Sequence, residues 1–429
     1  MSENPVPGYQ AEAPDEDFFC AFEFSYPLYE MAKLRWRALH DDADPARTGL
    51  NVFWHQDRLA TAEDRWVTTP NIDTLYSLAW LSLDRGPVQI RIPPAEGRYL
   101  NLALLDMYSN NFACLSQRDV GSLGAQLLVV GPRWQGDLPP DRAVIQAPAD
   151  DVLVMTRTLV DDEADLAAAR RVQQGFLIDG PTGSSQEPAP WRSPDPGGDF
   201  VSLVRDALRR NPPRAYEDRY DRLLRRVGLI GEQHDAFDAR WSELVPAFLA
   251  RIKASVRRVN QPVDGWVTSK PRVGDFGTSY SLRAITALGG LLALPAREAM
   301  YINTDLDASV TELHGGNVYR LDMPPDGVPA GAFWSLTLYE KTPLGQNFLA
   351  HNPLNRYAFT SRDNSLRSSA DGLTVWISHR RPPAGLESNW LPAPDAPMRL
   401  TLRAYHPGPD LLAGRFRIKP VVRLDDYGQ

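Results

Sequence analysis

The sequence predicts an α+β protein, mainly β, in which two antiparallel β modules flank a helical segment. Three observations carry that expectation. From Thr74 to Val160 short apolar runs alternate with Gly, Pro, Asn and Asp, the pattern of an antiparallel sandwich or barrel. At Asp161 the period changes to Ala, Leu and charge at helical spacing, and from Glu298 the strand pattern returns. The expected divisions are 1–15 disordered, 16–160 an N-terminal β domain, 161–295 a helical region and 296–429 a C-terminal β domain.

At 429 residues the chain exceeds what one core normally serves, which favours two domains. Hydrophobic residues make up 43% and charged residues 23%, as in an ordinary globular protein. With 46 basic against 54 acidic residues the net charge is −8, which argues against a nucleic-acid partner held through phosphates. The expected partner is a small-molecule substrate, neutral or cationic by this balance, and a homo-oligomer stays open.

Cys20 and Cys114 stand in unrelated motifs, giving neither a disulfide framework nor a zinc pattern. The first residues, MSENPVPGYQAEAPDEDFF, have no basic and apolar halves of a signal peptide, and no run of about 18 apolar residues occurs. A cytoplasmic protein without membrane association is expected.

In chain order, residues 1–15 lack periodicity and are rich in Pro and acid. PLYEMAKLRWRALH then places apolar residues on one stripe behind Pro27, predicting a helix over 27–40. Strands are predicted at 74–84, 86–92, 98–109, 112–118, 126–132, 142–148 and 151–160, with no helix among them. Residues 179–199, GPTGSSQEPAPWRSPDPGGD in outline, read as a mobile linker. Helical patterns fill 161–176, 200–211, 214–229 and 235–260. The helix from Thr278 is apolar on most sides, so it is expected between the β modules with Tyr280 and Arg283 as its unusual residues. Strands resume at 298–306, 317–324, 332–340, 356–361, 373–379, 398–407 and 416–424.

The chain is organised around VTTPNIDTLYSLAWLSL, Val67 to Leu83. Pro70, Asn71 and Asp73 make a turn, and a strand then runs on without Gly or Pro. This stretch, followed by GPVQIRIP and RYLNLALLDMYSNNF, resembles the family known as domain of unknown function 1254. Further on, FWSLTLYE, NPLNRYAF, NWLPAP and LRAYHP resemble its usual companion, domain of unknown function 1214. The resemblance runs from about Phe19 to Arg423 and implies two β-sandwich, jelly-roll-like modules joined by helices. It implies no particular reaction. Asp305-Leu306-Asp307-Ala308 and Asp371-Gly372-Leu373 depart from the family's usual Asp-x-x-Gly and Asp-Gly-Ser, so the local turns there are expected to differ.

Nucleophile elbows, phosphate loops and H-E-x-x-H are missing from the sequence, and the seven histidines never fall at ligand spacing, so neither a cofactor nor a metal is expected. The catalytic candidates are Asp73 and Tyr76 in the first motif and Asp106 and Tyr108 at the end of LALLDMYS. If the two strands pair, the carboxylates approach, their pKa values split, and one serves as acid and one as base. Against this, Asp73 and Asp106 are equally read as turn caps. Substrate-binding candidates are Asn71, Asn111, Arg283, His314, Asn317, Tyr319, Trp334, Tyr339, Arg356 and Trp390. Among them His314-Gly315-Gly316-Asn317-Val318-Tyr319 matches the Gly-Asn-x-Tyr element of the second family, and Arg356 and Arg403 offer fixed bidentate donors. The leading expectation is a cofactor-independent hydrolase or lyase acting on a small polar or amphipathic molecule in a cleft between modules. The alternative is a non-catalytic binding or scaffold protein for a carbohydrate, a small hydrophobic ligand or a partner chain.

Overall fold

The computed structural model describes residues 14–427 apart from 66, 96, 141, 182–188 and 232–234. Of the disorder expected over 1–15, residues 1–13, and of the linker expected over 179–199, residues 182–188, therefore lie outside the described residues. Mixed α and β structure is observed, with four sheets among the described residues, none of them closed into a barrel.

The first region supplies β1 (Trp54–His55), β2 (Thr74–Ser82), β3 (Val88–Ile92), β4 (Leu100–Leu105), β5 (Asn111–Ser116), β6 (Ala125–Val130), β7 (Ala143–Gln146), β8 (Asp151–Leu159) and β9 (Leu177–Asp179). They form a five-stranded sheet, β1-β2-β8-β4-β5, and a four-stranded sheet, β7-β6-β3-β9. Period two decides the packing. Ala79 and Leu81 of β2, Leu100, Leu102 and Leu104 of β4, and Val152 and Val154 of β8 share one apolar cluster with Val88, Ile90, Leu127 and Val129 of the smaller sheet. The alternate residues, among them Trp80, Ala103, Leu105, Leu153 and Met155, face the other way into a larger cluster with the helices.

The last region supplies β10 (Val267–Thr268), β11 (Ala299–Thr304), β12 (Val318–Met323), β13 (Ala330–Lys341), β14 (Asn347–Phe348), β15 (Ala358–Thr360), β16 (Leu373–Ser378), β17 (Trp390–Pro392), β18 (Met398–Pro407) and β19 (Val422–Leu424). β10, β11, β18, β13, β14 and β15 form one sheet, and β17-β16-β12-β19 the other. Ile302, Leu336, Leu400 and Leu402 of the first pack with Tyr319, Leu321, Val375 and Ile377 of the second. All ladders are antiparallel except β6–β7 and β16–β17.

The helices are α1 (Asp15–His40), α2 (Gln117–Val120), α3 (Leu166–Gln173), α4 (Pro196–Arg210), α5 (Asp218–Arg226), α6 (Asp235–Val259), α7 (Tyr280–Gly289) and α8 (Pro409–Leu412). Four expectations are corrected. The first helix begins at Asp15 rather than at 27, with Pro27 inside it. Its first turns hold because Phe18, Phe19, Phe22 and Phe24 bury against Phe200, Phe237, Trp241, Phe248 and Tyr220, and that aromatic burial outweighs the hydrogen bond a proline removes. Residues 117–120 are a helical turn, closed by Asp119 accepting from the Ser116 amide at 2.7 Å. The expected linker ends early, because Asp195 caps α4 by accepting from the Gly198 amide at 2.7 Å. Finally, the expected packing of α7 against the β modules is mainly packing on α1 and α6, in a cluster that also holds residues of both large sheets. Among the described residues no helix is long and apolar enough to cross a membrane.

Candidate site between the two large sheets

Each large sheet has one face in its own module and one face outside it. On the outer face of the first, β-ladder register sets Tyr76, Arg157 and Asn101 side by side across β2, β8 and β4. On the second, Tyr301, Arg403 and Ser335 form a row across β11, β18 and β13, next to the row Ala299, Tyr405 and Phe333. Hydrogen bonds tie these faces together. Asn71 donates through Nδ2 to the Tyr405 hydroxyl at 2.7 Å and to the Tyr76 hydroxyl at 3.2 Å. Ser335 Oγ donates to Asp73 Oδ2 at 2.6 Å, and the Tyr339 hydroxyl donates to the Pro70 carbonyl at 2.7 Å.

The turn that opens the organising stretch is thus inserted against the C-terminal sheet. Asn71 Oδ1 accepts from the Asp73 amide at 2.7 Å, an Asx turn that sets both side chains. Thr69, a β-branched residue, is held at φ +56 with its amide donating to the Asn347 carbonyl at 2.7 Å. Such a conformation costs on the order of 1–3 kcal/mol and persists where the surroundings enforce it.

Two arginines are buried in this layer. Arg403 donates to Tyr339 Oη at 2.7 Å, to Thr337 Oγ1 at 3.0 Å and to the Thr69 carbonyl at 3.3 Å. Arg157 donates through Nε to Tyr76 Oη at 3.2 Å and lies 4.9 Å from that ring's centre, while its Nη1 is buried with no partner. Asp73 is 3% exposed, and its Oδ1 is likewise buried and unpartnered. Burial raises the Asp73 pKa against the opposing pull of Arg403 and the Ser335 hydrogen bond. Burial and the neighbouring Asp73 also hold the Tyr405 phenol protonated, well above its ordinary value. The arrangement places a carboxyl whose pKa is moved upward beside the Arg403 cation and the Tyr405 phenol, with Arg157 joined to it through Tyr76 and Asn71, a set suited to moving one proton and steadying negative charge.

Asp106 and Tyr108 do not belong to this set, which corrects the expected carboxylate pair. β2 and β4 flank β8 and run in the same direction, with Thr74 opposite Leu159 and Leu105 opposite Leu153. Asp73 and Asp106 therefore stand beyond opposite ends of β8, roughly 20 Å or more apart at about 3.3 Å per residue. Asp106 Oδ1 accepts from the amides of Tyr108 and Asn110, both at 2.9 Å, and Oδ2 pairs with Arg214. It is a turn cap. Tyr108 donates to the Asn211 carbonyl at 3.1 Å.

Of the expected binding residues, Asn71 and Tyr339 are brought to the site and the others are not. Asn111 ties the Gly274 and Ala293 carbonyls. Arg283 sits 4.9–5.0 Å from the ring centres of Phe24, Tyr108 and Tyr280 in the helical body, with Glu217 at 3.9 Å. His314 is exposed, its amide donating to Tyr319 Oη at 3.1 Å as Asn317 Nδ2 does. Tyr319 and Trp334 are core residues of the C-terminal module. Arg356 holds the 387–390 loop through the Glu387 and Trp390 carbonyls, and Trp390 donates to the Ser378 carbonyl at 3.1 Å. Arg157, Ser335 and Tyr405 belong to the site but are not among the expected residues; for Arg157 a charged residue in the middle of an apolar strand, LVMTRTL, is the signal, and Ser335 and Tyr405 carry none.

Among the described residues no group of three His, Cys, Asp or Glu side chains is placed to hold a metal ion.

Residues 50–180 match the family described as protein of unknown function (DUF1254), and residues 298–409 match that described as protein of unknown function (DUF1214). The structure is similar to the crystal structure of the VPA0106 protein from Vibrio parahaemolyticus, with a TM-score of 0.72, 20% identity, and 96% of this chain and 99% of the other covered. An uncharacterised protein from Burkholderia cenocepacia aligns at a TM-score of 0.46 and 14% identity over 97% of this chain and 92% of its own. No curated protein matches the chain. The first of these likenesses establishes a shared fold.

Proposed function

This chain belongs to the proteins that pair a DUF1254 region with a DUF1214 region, and from that premise we propose that the layer between its two large sheets is the reaction site of a cofactor-independent hydrolase or lyase. Its substrate is a small polar or amphipathic molecule. The observation that carries this reading is Asp73: a buried carboxyl with one oxygen held by Ser335, the other without a partner, and a pKa moved upward by burial. A carboxyl whose pKa is moved upward is a stronger base when ionised and holds the proton it takes up more tightly than an ordinary carboxylate. As base, Asp73 takes a proton from carbon in a lyase or from water in a hydrolase. The electron pair so released forms the new bond, and the leaving group departs with a proton from Tyr76 or from Asp73 itself. Arg403 and Arg157 steady the negative charge that develops, in a site from which most water is excluded.

A binding or scaffold role is the second reading. It is favoured by one observation: the Asn71 amide joins Tyr76 and Tyr405 into a clasp that a non-catalytic site would equally use. In either case we read each β module as a jelly-roll-like sandwich and the protein as cytoplasmic. The deciding experiment incubates the wild-type chain and Asp73→Asn with metabolite pools and records masses. The enzyme reading requires a product formed by the wild type and lost in the variant. A retained complex without product supports the binder.

A further inference from the structure

The charges in the layer between the sheets do not balance. Arg157 and Arg403 are each 3% exposed, and among the described residues neither forms an ion pair with a carboxylate. The acid beside Arg403 is Asp73, which burial biases toward its neutral form. Glu298, the next carboxylate along the layer, is already engaged: Oε2 accepts from Arg118 at 2.9 Å, Oε1 accepts from the Tyr99 hydroxyl at 2.7 Å, and His406 lies 3.3 Å away. Around Arg157 the groups are phenols, those of Tyr76, Tyr301, Tyr405 and Tyr99. A buried cation without a counter-ion is costly, and proteins resolve that cost with a paired charge.

Two further buried atoms in the same layer lack partners. Asn101 is the cross-strand neighbour of Arg157, and its Oδ1 is unpaired while its Nδ2 reaches only Cys114 Sγ at 3.6 Å. Asp73 Oδ1 is the other. A donor that is a cation and two acceptors are therefore left open in one layer, walled by Tyr99, Phe333 and Tyr405, whose rings pack at 4.2–5.5 Å between centres. Tyr76 and Tyr301 keep partial exposure, so solvent reaches the layer.

We propose that this layer takes a small organic monocarboxylate, its carboxylate paired with Arg157 and a hydroxyl or amine of the same molecule donating to Asn101 Oδ1 or Asp73 Oδ1. Arg403 already donates to Tyr339, Thr337 and the Thr69 carbonyl, which leaves Arg157 as the cation with an open nitrogen; one open cation selects a monoanion over a dianion such as phosphate, and the aromatic walls suit a flat apolar body. This inference deepens the reading of the layer as a reaction site and rests on it for calling the ligand a substrate. The binding itself is measured independently of turnover.

The test uses the full chain and follows thermal unfolding with benzoate, its neutral isostere benzamide, and inorganic phosphate. Benzoate is expected to raise the midpoint saturably, by about 3–5 °C at a hundred times its dissociation constant, while benzamide and phosphate leave it unchanged. Arg157→Met abolishes the benzoate shift. Arg219→Gln, in the surface cleft beside Tyr220 and Tyr280, retains it. Equal shifts with benzoate and benzamide, a phosphate shift as large as the benzoate shift, no shift at all, or a shift that survives Arg157→Met overturns the proposal. Should Arg157→Met fail to fold, the comparison of the three probes on the wild type still decides. Benzoate binding with no loss of turnover in Asp73→Asn would sink the acid–base reading and leave the carboxylate site standing.

Discussion

Asp73→Asn separates a catalyst from a turn residue, and its effects follow from the two oxygens of one carboxyl. Oδ2 accepts from Ser335 at 2.6 Å, and an asparagine oxygen accepts the same bond. Oδ1 has no partner, so an amide placed there loses none, although it gains a donor to satisfy. The charge term runs the other way from a surface salt bridge. Because the folded state raises the Asp73 pKa, the native protein holds this proton more tightly than the unfolded chain. That contribution is complete below the unfolded value near 4 and is lost as pH rises toward the folded value. Asp73→Asn cannot ionise, so its stability at pH 7 is expected within about 1 kcal/mol of the wild type, with a flatter pH dependence from about pH 4 upward. Turnover is expected to fall by about 10²-fold or more. Urea unfolding at pH 4 and pH 7 measures the first, and product formation followed by mass the second. Unchanged turnover, or a loss of several kcal/mol with turnover falling only as the folded fraction falls, would refute the role given to Asp73.

Other variants test neighbouring steps. Ser335→Ala leaves both Asp73 oxygens bare, and urea unfolding should show a loss of about 1–3 kcal/mol. Asp106→Asn weakens the Arg214 pair and the turn at Tyr108–Asn110; midpoint temperature should drop while turnover per folded molecule is unchanged. Arg283→Met removes the cation 3.9 Å from Glu217, which is 2% exposed and keeps its bond from the Arg214 amide, so calorimetry should record a loss of about 1–3 kcal/mol. Glu298 titrates below its ordinary range because its bonds with His406 and Tyr99 outweigh burial. Its contribution to stability is therefore present above the unfolded value near 4.3 and lost as pH falls through the folded one, and Glu298→Gln should make acid unfolding less steep.

Half of the site could be read in the chain because it is local. Asn71, Asp73 and Tyr76 lie within one turn and the strand it launches, and residue type with spacing marked all three. The other half depends on which strand faces are covered from outside the module. LVMTRTL and TLRAYH read as strands, but nothing in their period says that the outer face of each large sheet meets the other. Only that meeting makes Arg403 and Tyr405 neighbours of Asp73 and sets Tyr405 beside Arg157. The mistaken pairing of Asp73 with Asp106 has the same origin. Antiparallel pairing of the 74–84 and 98–109 strands would bring the start of one beside the end of the other. Here β8 inserts between β2 and β4, which makes them parallel and sends the two acids to opposite ends. Pro27 failed as a boundary because the aromatic content of Phe18 to Tyr26, more than the proline, sets where α1 begins.

A structural clasp and a reaction site both bury polar groups, and they differ in how completely those groups are satisfied. Arg403 shows the first pattern: a phenol, a hydroxyl and a carbonyl take its hydrogen bonds. Arg157 shows the second, with one hydrogen bond and an open nitrogen. An unmet buried donor costs about 1–3 kcal/mol, more when charged, and a network kept only for stability gains from replacing it with an apolar side chain. Asp73 Oδ1 and Asn101 Oδ1 add to that cost in the same layer, and the strained backbone of Thr69 adds further. Arg157→Met then distinguishes the two without any ligand: a clasp loses stability when its arginine is removed, whereas a site held open for an anion becomes more stable when it is filled by a methionine.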